Sequence, residues 1–221
     1  MNLLFIVEGK RTEKKLYKKW VKYCHPNLSF VDSIDKVSGD NYVIISGKGY
    51  PNYLNVICNA FKDIQRLNNI DHIFICVDSE ELSYVEKYDQ IEQHINDVCG
   101  AIEIQPLIII QNHCIETWLM GNKKLNISSC SNNLLRSYRN YYNVNIRDPE
   151  QMSSMDSELT IAQFSYNYFR LMVQQKGLIY TKTNIKHVGN KSYFKQLIKR
   201  CRTDSHICSF GYFINQLNRL T

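Results

Sequence analysis

Residues 2–9, NLLFIVEG, and residues 72–80, HIFICVDSE, are two short apolar runs that each end in carboxylates. Their hydrophobic residues are nearly continuous, which is typical of strands buried on both faces of a parallel sheet. Other elements alternate with them, with apolar runs at residues 42–46 and 102–110 and helical patterns at residues 12–24, 52–67 and 83–98. This alternation predicts an α/β fold with a mostly parallel four-stranded sheet flanked by helices.

After residue 111 the pattern changes from alternating elements to helices. Helical spacing predicts helices at residues 115–120, 132–142, 157–175, 192–202 and 210–220, and Asn- and Ser-rich segments predict loops at residues 122–133 and 142–155. We therefore predict an α/β domain over residues 1–121. Residues 122–221 are predicted to form a helical C-terminal extension or cap, either separate or packed on the same core.

The composition is that of a globular domain, with 221 residues, 44% of them hydrophobic and 22% charged. No apolar run reaches the roughly 18 residues of a membrane span, so no membrane association is expected. The eight cysteines are scattered, without a CxxC pair or a Cys/His cluster at zinc spacing. Because an oxidising compartment endangers unpaired thiols, we expect free cysteines and a cytoplasmic protein.

Positive charge is concentrated in two segments, although the net charge is only +6. Residues 10–22 contain seven Lys or Arg, and residues 176–221 contain nine against a single acid, Asp204. Localised positive charge is the pattern expected of a protein that binds a polyanion such as RNA or DNA. Solvated helix faces are the alternative for any one lysine. The candidate contacts are Lys10, Lys14, Lys18, Lys48, Lys195 and Lys199.

Polar residues stand at the carboxyl end of each predicted strand. Glu8 follows the first strand, Lys48 lies between two glycines after the second, Asp78 ends the third, and a polar segment leads from the fourth to Glu116. The carboxyl ends of parallel strands share one edge of the sheet, where ligands bind. We therefore expect Glu8 and Asp78 to converge there.

The third strand end carries several carboxylates, in the order Asp78-Ser79-Glu80-Glu81. Asp78 and Glu80 point the same way if the extended geometry continues past the strand, whereas Glu81 points to the other side. Carboxylate oxygens are the ligands that Mg²⁺ prefers. Glu80 is thus the better second ligand by spacing.

Three segments resemble the toprim family. Residues 5–13, FIVEGKRTE, resemble its VEGxxxE opening, and residues 74–80, FICVDSE, occupy the place of its D-x-D strand end, with Glu80 for the usual second aspartate. Residues 111–119, QNHCIETWL, are similar to the NPCFExWLL segment of RloB-like toprim proteins, with His113 where proline is usual. RloB-like and OLD-like proteins belong to prokaryotic phage defence, and the resemblance covers about residues 1–120.

The resemblance implies a nuclease that cleaves phosphodiester bonds in RNA or DNA with Mg²⁺ or Mn²⁺. Glu8 would act as general acid/base or metal ligand, Asp78 and Glu80 would hold the metal, and Glu116 would bind it directly or orient a ligand. The resemblance also implies a role as an abortive-infection effector, with an ATPase or other sensor subunit as a partner. The alternative is a catalytically inactive toprim module that binds nucleic acid or a partner.

Each site residue also has a structural interpretation. Glu8 and Glu116 could be acidic residues that favour a helix N-terminus, and Asp78 could be a helix N-cap. Glu13 either completes the motif or pairs with lysines along its helix. Lys48 either approaches a phosphate or is a surface lysine in a turn.

Overall fold

The structure is a computed structural model that describes residues 1–100, 103–125 and 131–220. The strands are β1 (Leu3–Val7), β2 (Ser29–Val31), β3 (Asn41–Ser46), β4 (His72–Asp78) and β5 (Leu107–Gln111). The α-helices are α1 (Thr12–Cys24), α2 (Asn52–Leu67), α3 (Tyr84–His94), α4 (Ile115–Leu119), α5 (Asn133–Tyr141), α6 (Ile161–Gln175), α7 (Lys191–Asp204) and α8 (Cys208–Asn218). A π-helical turn, Ile95–Cys99, continues α3, and short 3₁₀ helices cover Ile34–Lys36, Lys123–Leu125 and Pro149–Gln151.

Some predictions fall outside the described residues. These are the start of the strand predicted from residue 102, residues 126–130 of the loop predicted at 122–133, and Thr221 at the end of the basic segment.

β1 lies at the centre of a five-stranded parallel sheet with the order β2-β3-β1-β4-β5. Val7 of β1 is in register with Ser46 of β3 and with Cys76 of β4. Every residue of β1 is buried, as its continuous apolar run predicts. The predicted α/β class with a parallel sheet is therefore confirmed, and the arrangement is compatible with a toprim-like fold.

β2 is a fifth strand that the sequence pattern did not predict. It has three residues, none of them buried, and it pairs with β3 at the edge of the sheet. An exposed strand of this length has no continuous apolar run, which is the signal that marks a buried strand.

The start of α6 also differs from the prediction, since the helix begins at Ile161 and not at residue 157. Thr160 is its N-cap: the Thr160 hydroxyl accepts from the Gln163 amide at 3.1 Å, and the Gln163 side chain accepts from the Thr160 amide at 3.0 Å. This capping box satisfies two donors of the first turn and fixes the helix start.

The chain divides into two compact units. The first contains Met1–Val77, Ser83–Ile110 and the C-terminal residues from Leu217, and the second contains Asp78–Leu82 and Gln111–Gln216. The division into domains over residues 1–121 and 122–221 stays a prediction.

The core of the first unit lies on both faces of the sheet. On one face, Leu4 belongs to a buried cluster with Phe61 of α2. On the other face, Phe5 stacks on Phe74 of β4 with ring centroids 4.6 Å apart and lies 6.1 Å from Tyr17 of α1. Successive side chains of β1 therefore contact different helices, because they alternate between the faces.

The second unit has an aromatic core. The ring of Trp118 lies 5.2 Å from that of Phe210 and 6.0 Å from that of Phe213, and Tyr138 lies 4.7 Å from Phe164. Trp118 is fully buried in this packing. Among the helices of the described ranges, none combines the length and hydrophobicity needed to cross a membrane.

Candidate metal and nucleic-acid site

Glu8 follows β1 and is held by backbone hydrogen bonds to β4 and to the turn after β3. Its N–H donates to the Cys76 carbonyl of β4 at 3.0 Å, and its carbonyl accepts from the Gly49 N–H at 3.1 Å. The residue is only 7% exposed. The turn of Gly47, Lys48 and Gly49 after β3 therefore lies against the backbone of Glu8, as the shared-edge argument predicts for these two strand ends.

Two glycines allow the close packing around Glu8. A Cβ on Gly9 would overlap the carboxylate of Glu13, and a Cβ on Gly47 would overlap Tyr53 of α2. The carboxylate of Glu13 thus lies back over Gly9, next to Glu8 in the chain. A side chain at position 9 would displace this carboxylate.

Lys48 is exposed and has a left-handed backbone, with φ of 63°. Lys87, which the sequence analysis missed, lies near the same turn. It is 2% exposed, and its ammonium lies 5.3 Å from the centroid of the Tyr53 ring, the residue that packs on Gly47. A buried cation over an aromatic face is a favourable arrangement. No sequence signal identified it, because Lys87 lies among the charged residues of an amphipathic helix.

In the second unit, the residues after β4 are tied to the residues after β5. The Ser79 N–H donates to the Gln111 carbonyl at 3.0 Å, and the Ser79 hydroxyl accepts from the His113 N–H at 2.8 Å. The Glu80 N–H donates to the His113 carbonyl at 3.0 Å. These bonds fix the position of the polypeptide directly after Asp78, the last residue of β4.

Glu80 does not continue the extended geometry of β4. The strand ends at Asp78, and Glu80 is exposed with a left-handed φ of 55°. We expected the side chains of Glu80 and Asp78 to point the same way only if the extended geometry continued past the strand, and it does not. The role of Glu80 as a ligand stays a prediction without that support. Glu81 accepts from the N–H of Ile161 at 2.7 Å, which satisfies a donor at the start of α6.

His113 explains one departure from the family pattern. Its φ is 64°, whereas proline is restricted to about −65°. A proline could therefore not adopt the backbone conformation found at position 113. The Nδ1 atom of His113 lies 2.9 Å from the Glu80 carbonyl, which can only accept, so Nδ1 carries a proton. His113 thereby links the segment after β5 to the segment after β4.

Asp78 and Glu116 lie near the same buried thiol. Burial raises the pKa of Cys114 well above its usual value, and the negative charges of Glu116 and Asp78 raise it further. Glu116 is 4% exposed and accepts from the Tyr180 hydroxyl at 2.8 Å. The charges of both carboxylates, which are predicted to bind the metal, therefore act on the same thiol. Because its pKa is raised, Cys114 stays a protonated thiol at neutral pH.

The second unit contains several oxygen groups of the kind that hard cations prefer. Mg²⁺ and Mn²⁺ prefer oxygen ligands, and the carboxylates of Asp78 and Glu116 are of that kind. Gln111, the last residue of β5, is fully buried, and within the described residues neither atom of its amide has a hydrogen-bond partner. A buried amide of this kind normally has a partner, and its oxygen is another hard donor. Glu8, the remaining predicted carboxylate ligand, belongs to the first unit.

The predicted nucleic-acid contacts lie on the surfaces of both units. Lys10, Lys18, Lys195 and Lys199 are exposed and Lys14 is half-buried. Lys18 also lies over the Phe30 ring, 3.4 Å from its centroid. Within residues 1–100, 103–125 and 131–220, none of these lysines is in an ion pair. Arg200, by contrast, is one of the nine basic residues of the C-terminal segment but is buried, so it adds nothing to the positive surface.

A buried carboxylate, Glu150, supports the polar segment after β5. One of its carboxylate oxygens accepts from the Trp118 indole at 2.9 Å and from the Ser209 hydroxyl, and the other accepts from the Ser209 N–H at 3.2 Å. Its backbone carbonyl accepts from the Asn112 side chain at 2.9 Å. Burial raises the pKa of Glu150 from 4.5 to about 7 despite these donors.

We expect this pKa to make stability depend on pH. The folded chain holds the Glu150 proton up to about pH 7, whereas the unfolded chain loses it near pH 4.5. Stability from the protonated group is therefore complete below pH 4.5 and is lost as the pH rises through 7, by about 3 kcal/mol. The Glu150→Gln variant has no carboxyl group at this position to titrate. The unfolding free energy of wild type minus that of the variant should therefore fall as the pH rises from 4.5 to about 7. Denaturant unfolding at several pH values measures this difference.

Glu158→Gln is the matched control, because Glu158 is exposed in the same unit. A difference between wild type and Glu150→Gln that stays constant from pH 4.5 to 8 would contradict the raised pKa.

Comparison of the chain with models of protein families, with curated proteins and with solved structures found no match. The toprim resemblance therefore depends on the three sequence segments and on the compatible α/β fold.

Proposed function

We propose that the protein is a metal-dependent nuclease of the toprim type that cleaves phosphodiester bonds in RNA or DNA. The observation that supports the proposal is the position of two acidic residues at the carboxyl ends of two strands. β1 and β4 are adjacent and parallel, Glu8 directly follows β1, and Asp78 is the last residue of β4. Carboxylates at the carboxyl ends of adjacent parallel strands are well placed to bind a ligand at that edge.

In this proposal Glu8 and Asp78 hold Mg²⁺ or Mn²⁺, and Glu116 and Glu80 are further ligands. The metal, when bound, activates water and neutralises charge on the scissile phosphate. Glu8 has a second role, in which its carboxylate moves a proton to or from the reacting oxygens. The hydrogen bonds of its backbone to Cys76 and Gly49 fix the position from which it acts.

Nucleic acid is the proposed partner because exposed lysines lie on the surfaces of both units. Lysine ammonium groups contact phosphates without reading the bases, so they position the backbone for cleavage. A role as a cytoplasmic phage-defence effector with an ATPase or other sensor subunit follows from the resemblance alone.

A second candidate function is a module that binds nucleic acid or a partner without cleaving it. The conformation of Glu80 favours this candidate. The exposed, left-handed position of Glu80 removes the geometric argument for a second ligand from the D-x-E segment. Binding by lysines does not need the metal. Salt-sensitive binding in the absence of any cleavage would support this candidate over the nuclease.

The test of the nuclease is a panel of single- and double-stranded RNA and DNA incubated with the protein and Mg²⁺ or Mn²⁺. We expect cleavage of at least one substrate, abolished when a chelator removes the metal and restored by added Mn²⁺. Cleavage that persists in excess chelator would contradict metal dependence.

We further expect Lys14 and Lys18 to contact phosphates. Reversing both charges, as Lys14→Glu with Lys18→Glu, should weaken binding and lower the slope of log K against log salt by about one for each phosphate that is no longer neutralised. The same is expected of Lys195→Glu with Lys199→Glu. Titration of labelled RNA and DNA at several salt concentrations measures both quantities.

The matched control is Lys62→Glu with Arg66→Glu, which changes the net charge equally on one exposed face of α2. If both test pairs bind like wild type, or if the control weakens binding as much as they do, the lysines are not specific contacts.

A further inference from the structure

Cys58, His94 and Cys99 form a cluster in the first unit, away from the strand-end carboxylates in sequence. Cys58 lies in α2, His94 is the last residue of α3, and Cys99 ends the π-helical turn. Their sulfur and imidazole atoms all lie within 4.8 Å of one another. The two cysteines form a disulfide with Cα atoms 4.5 Å apart, and Nε2 of His94 lies 3.4 Å from the sulfur of Cys58.

This cluster corrects the expectation that all cysteines are unpaired. Its members do not have zinc spacing in the sequence, so that observation is unaffected. Cys58 and Cys99 are 41 residues apart, so no local spacing reveals them. Cys58 is buried in α2 but is bonded to Cys99 and so is not a free thiol. The expectation that Cys24, Cys76 and Cys114 are free is in agreement with the structure.

The π-helical turn is what makes His94 and Cys99 neighbours. In an α-helix, side chains five residues apart point in directions about 140° apart. The i→i+5 closure of a π-helix brings such residues onto successive turns instead, and π-bulges are frequent at functional sites. The widened turn Ile95–Cys99 therefore presents both side chains to Cys58 of α2.

The three groups are of the chemical kind that thiophilic divalent cations take as ligands. Zinc is bound by thiolate sulfur and neutral imidazole, and two Cys with one His leave the fourth position for water or another ligand. His94 also lines a surface pocket with three acidic residues, Glu86, Asp89 and Asp97. Their negative charge raises the local concentration of a cation beside His94.

We propose that Cys58, Cys99 and His94 bind one zinc-like divalent cation when their disulfide is reduced. A dithiol reductant gives two electrons and two protons to the disulfide, so that the S–S bond breaks, two thiols form and the dithiol becomes a cyclic disulfide. The cation then displaces both thiol protons and takes the two thiolates and Nε2 of His94 as ligands. Nε2 lies 3.3 Å from the Leu54 carbonyl and carries the ring proton there, so this proton moves to Nδ1 when the cation binds. The disulfide and the metal-bound form exclude each other. A disulfide oxidant that takes two electrons from the two thiolates and becomes a dithiol therefore re-forms the Cys58–Cys99 bond and releases the cation.

The test is metal binding by the full chain, reduced with a dithiol that is then removed under anaerobic conditions. Co²⁺ is the spectroscopic probe, because thiolate ligands give it strong charge-transfer absorption, and Zn²⁺ competes for the site. We expect one equivalent of Co²⁺, displaced by Zn²⁺, with the absorption abolished in Cys58→Ser and Cys99→Ser. His94→Gln should weaken binding at least about tenfold. The oxidised chain should give no such absorption.

Cys208→Ser is the control, because Cys208 is an exposed free cysteine outside the cluster. Asp78→Asn should bind Co²⁺ like wild type, which separates this site from the proposed nuclease site. A second measurement needs no variant: Zn²⁺ should protect Cys58 and Cys99 from alkylation in the reduced wild type, as read by peptide mass spectrometry.

Three results would overturn the proposal. These are a reduced wild type without thiolate–cobalt absorption, absorption that survives in both serine variants, and unchanged affinity in His94→Gln. Alkylation of Cys58 and Cys99 at equal rates with and without Zn²⁺ would overturn it as well, independently of how the variants fold.

Discussion

Asp78→Asn should abolish metal-dependent cleavage while leaving the fold and most of the nucleic-acid binding intact. The amide keeps the shape of the carboxylate but lacks the charge that holds a hard cation. Without the metal, neither water activation nor stabilisation of charge on the phosphate is available, so the rate should fall at least about 10²-fold. Binding should survive, because lysine contacts to phosphate do not need the metal.

The measurement is the cleavage rate of the best substrate of the panel, beside its dissociation constant and the circular dichroism of each variant. Glu8→Gln should behave like Asp78→Asn. Asp35→Asn is the matched control, since Asp35 is exposed in the 3₁₀ helix Ile34–Lys36, before β3 and not after it. If wild type cleaves and both site variants cleave at the same rate, the active site is elsewhere.

Arg200→Met should destabilise the second unit by about 3–5 kcal/mol. The buried guanidinium of Arg200 donates to the carbonyl groups of Val144, Asn145 and Arg147 at 2.9–3.0 Å. Methionine fills much of the same volume but offers no donor, so three carbonyls are left without this partner. Such a change is a large part of the 5–15 kcal/mol that stabilises a typical domain.

Denaturant unfolding, followed by Trp118 fluorescence in a Trp20→Phe background, measures this effect. Arg202→Met is the control on the same helix, because Arg202 is exposed, and we expect it to change stability by less than about 0.5 kcal/mol. Equal unfolding midpoints for the two variants would contradict the role given to Arg200.

The parts of the fold that the sequence predicted are those with a continuous physical signal. β1 and β4 are apolar over several successive residues, and α1 and α2 have the bounds that their helical spacing predicted. β2 has no such signal, because it is short and exposed at the sheet edge. The π-helical turn after α3 was also missed, since apolar spacing does not distinguish it from another turn of α-helix.

In the candidate site, the sequence predicted contacts only between segments that follow adjacent parallel strands. The parallel sheet brings the turn after β3 to Glu8, as strand order predicts. The left-handed conformation of Glu80 arises from hydrogen bonds to His113 in a distant segment, so residue spacing within the strand could not predict it. Buried polar groups such as Lys87 and Arg200 depend on tertiary partners and have the same sequence signature as surface residues.

The proposed nuclease requires that Glu8 and Asp78 together bind a hard divalent cation. A crystal structure of the protein soaked in Mn²⁺, with data collected for anomalous scattering from manganese, tests it most directly. We expect an anomalous peak within about 2.0–2.3 Å of a carboxylate oxygen of Glu8 and of Asp78, and no such peak in Asp78→Asn crystals. A peak that contacts neither carboxylate, or no peak at saturating Mn²⁺, would contradict the claim.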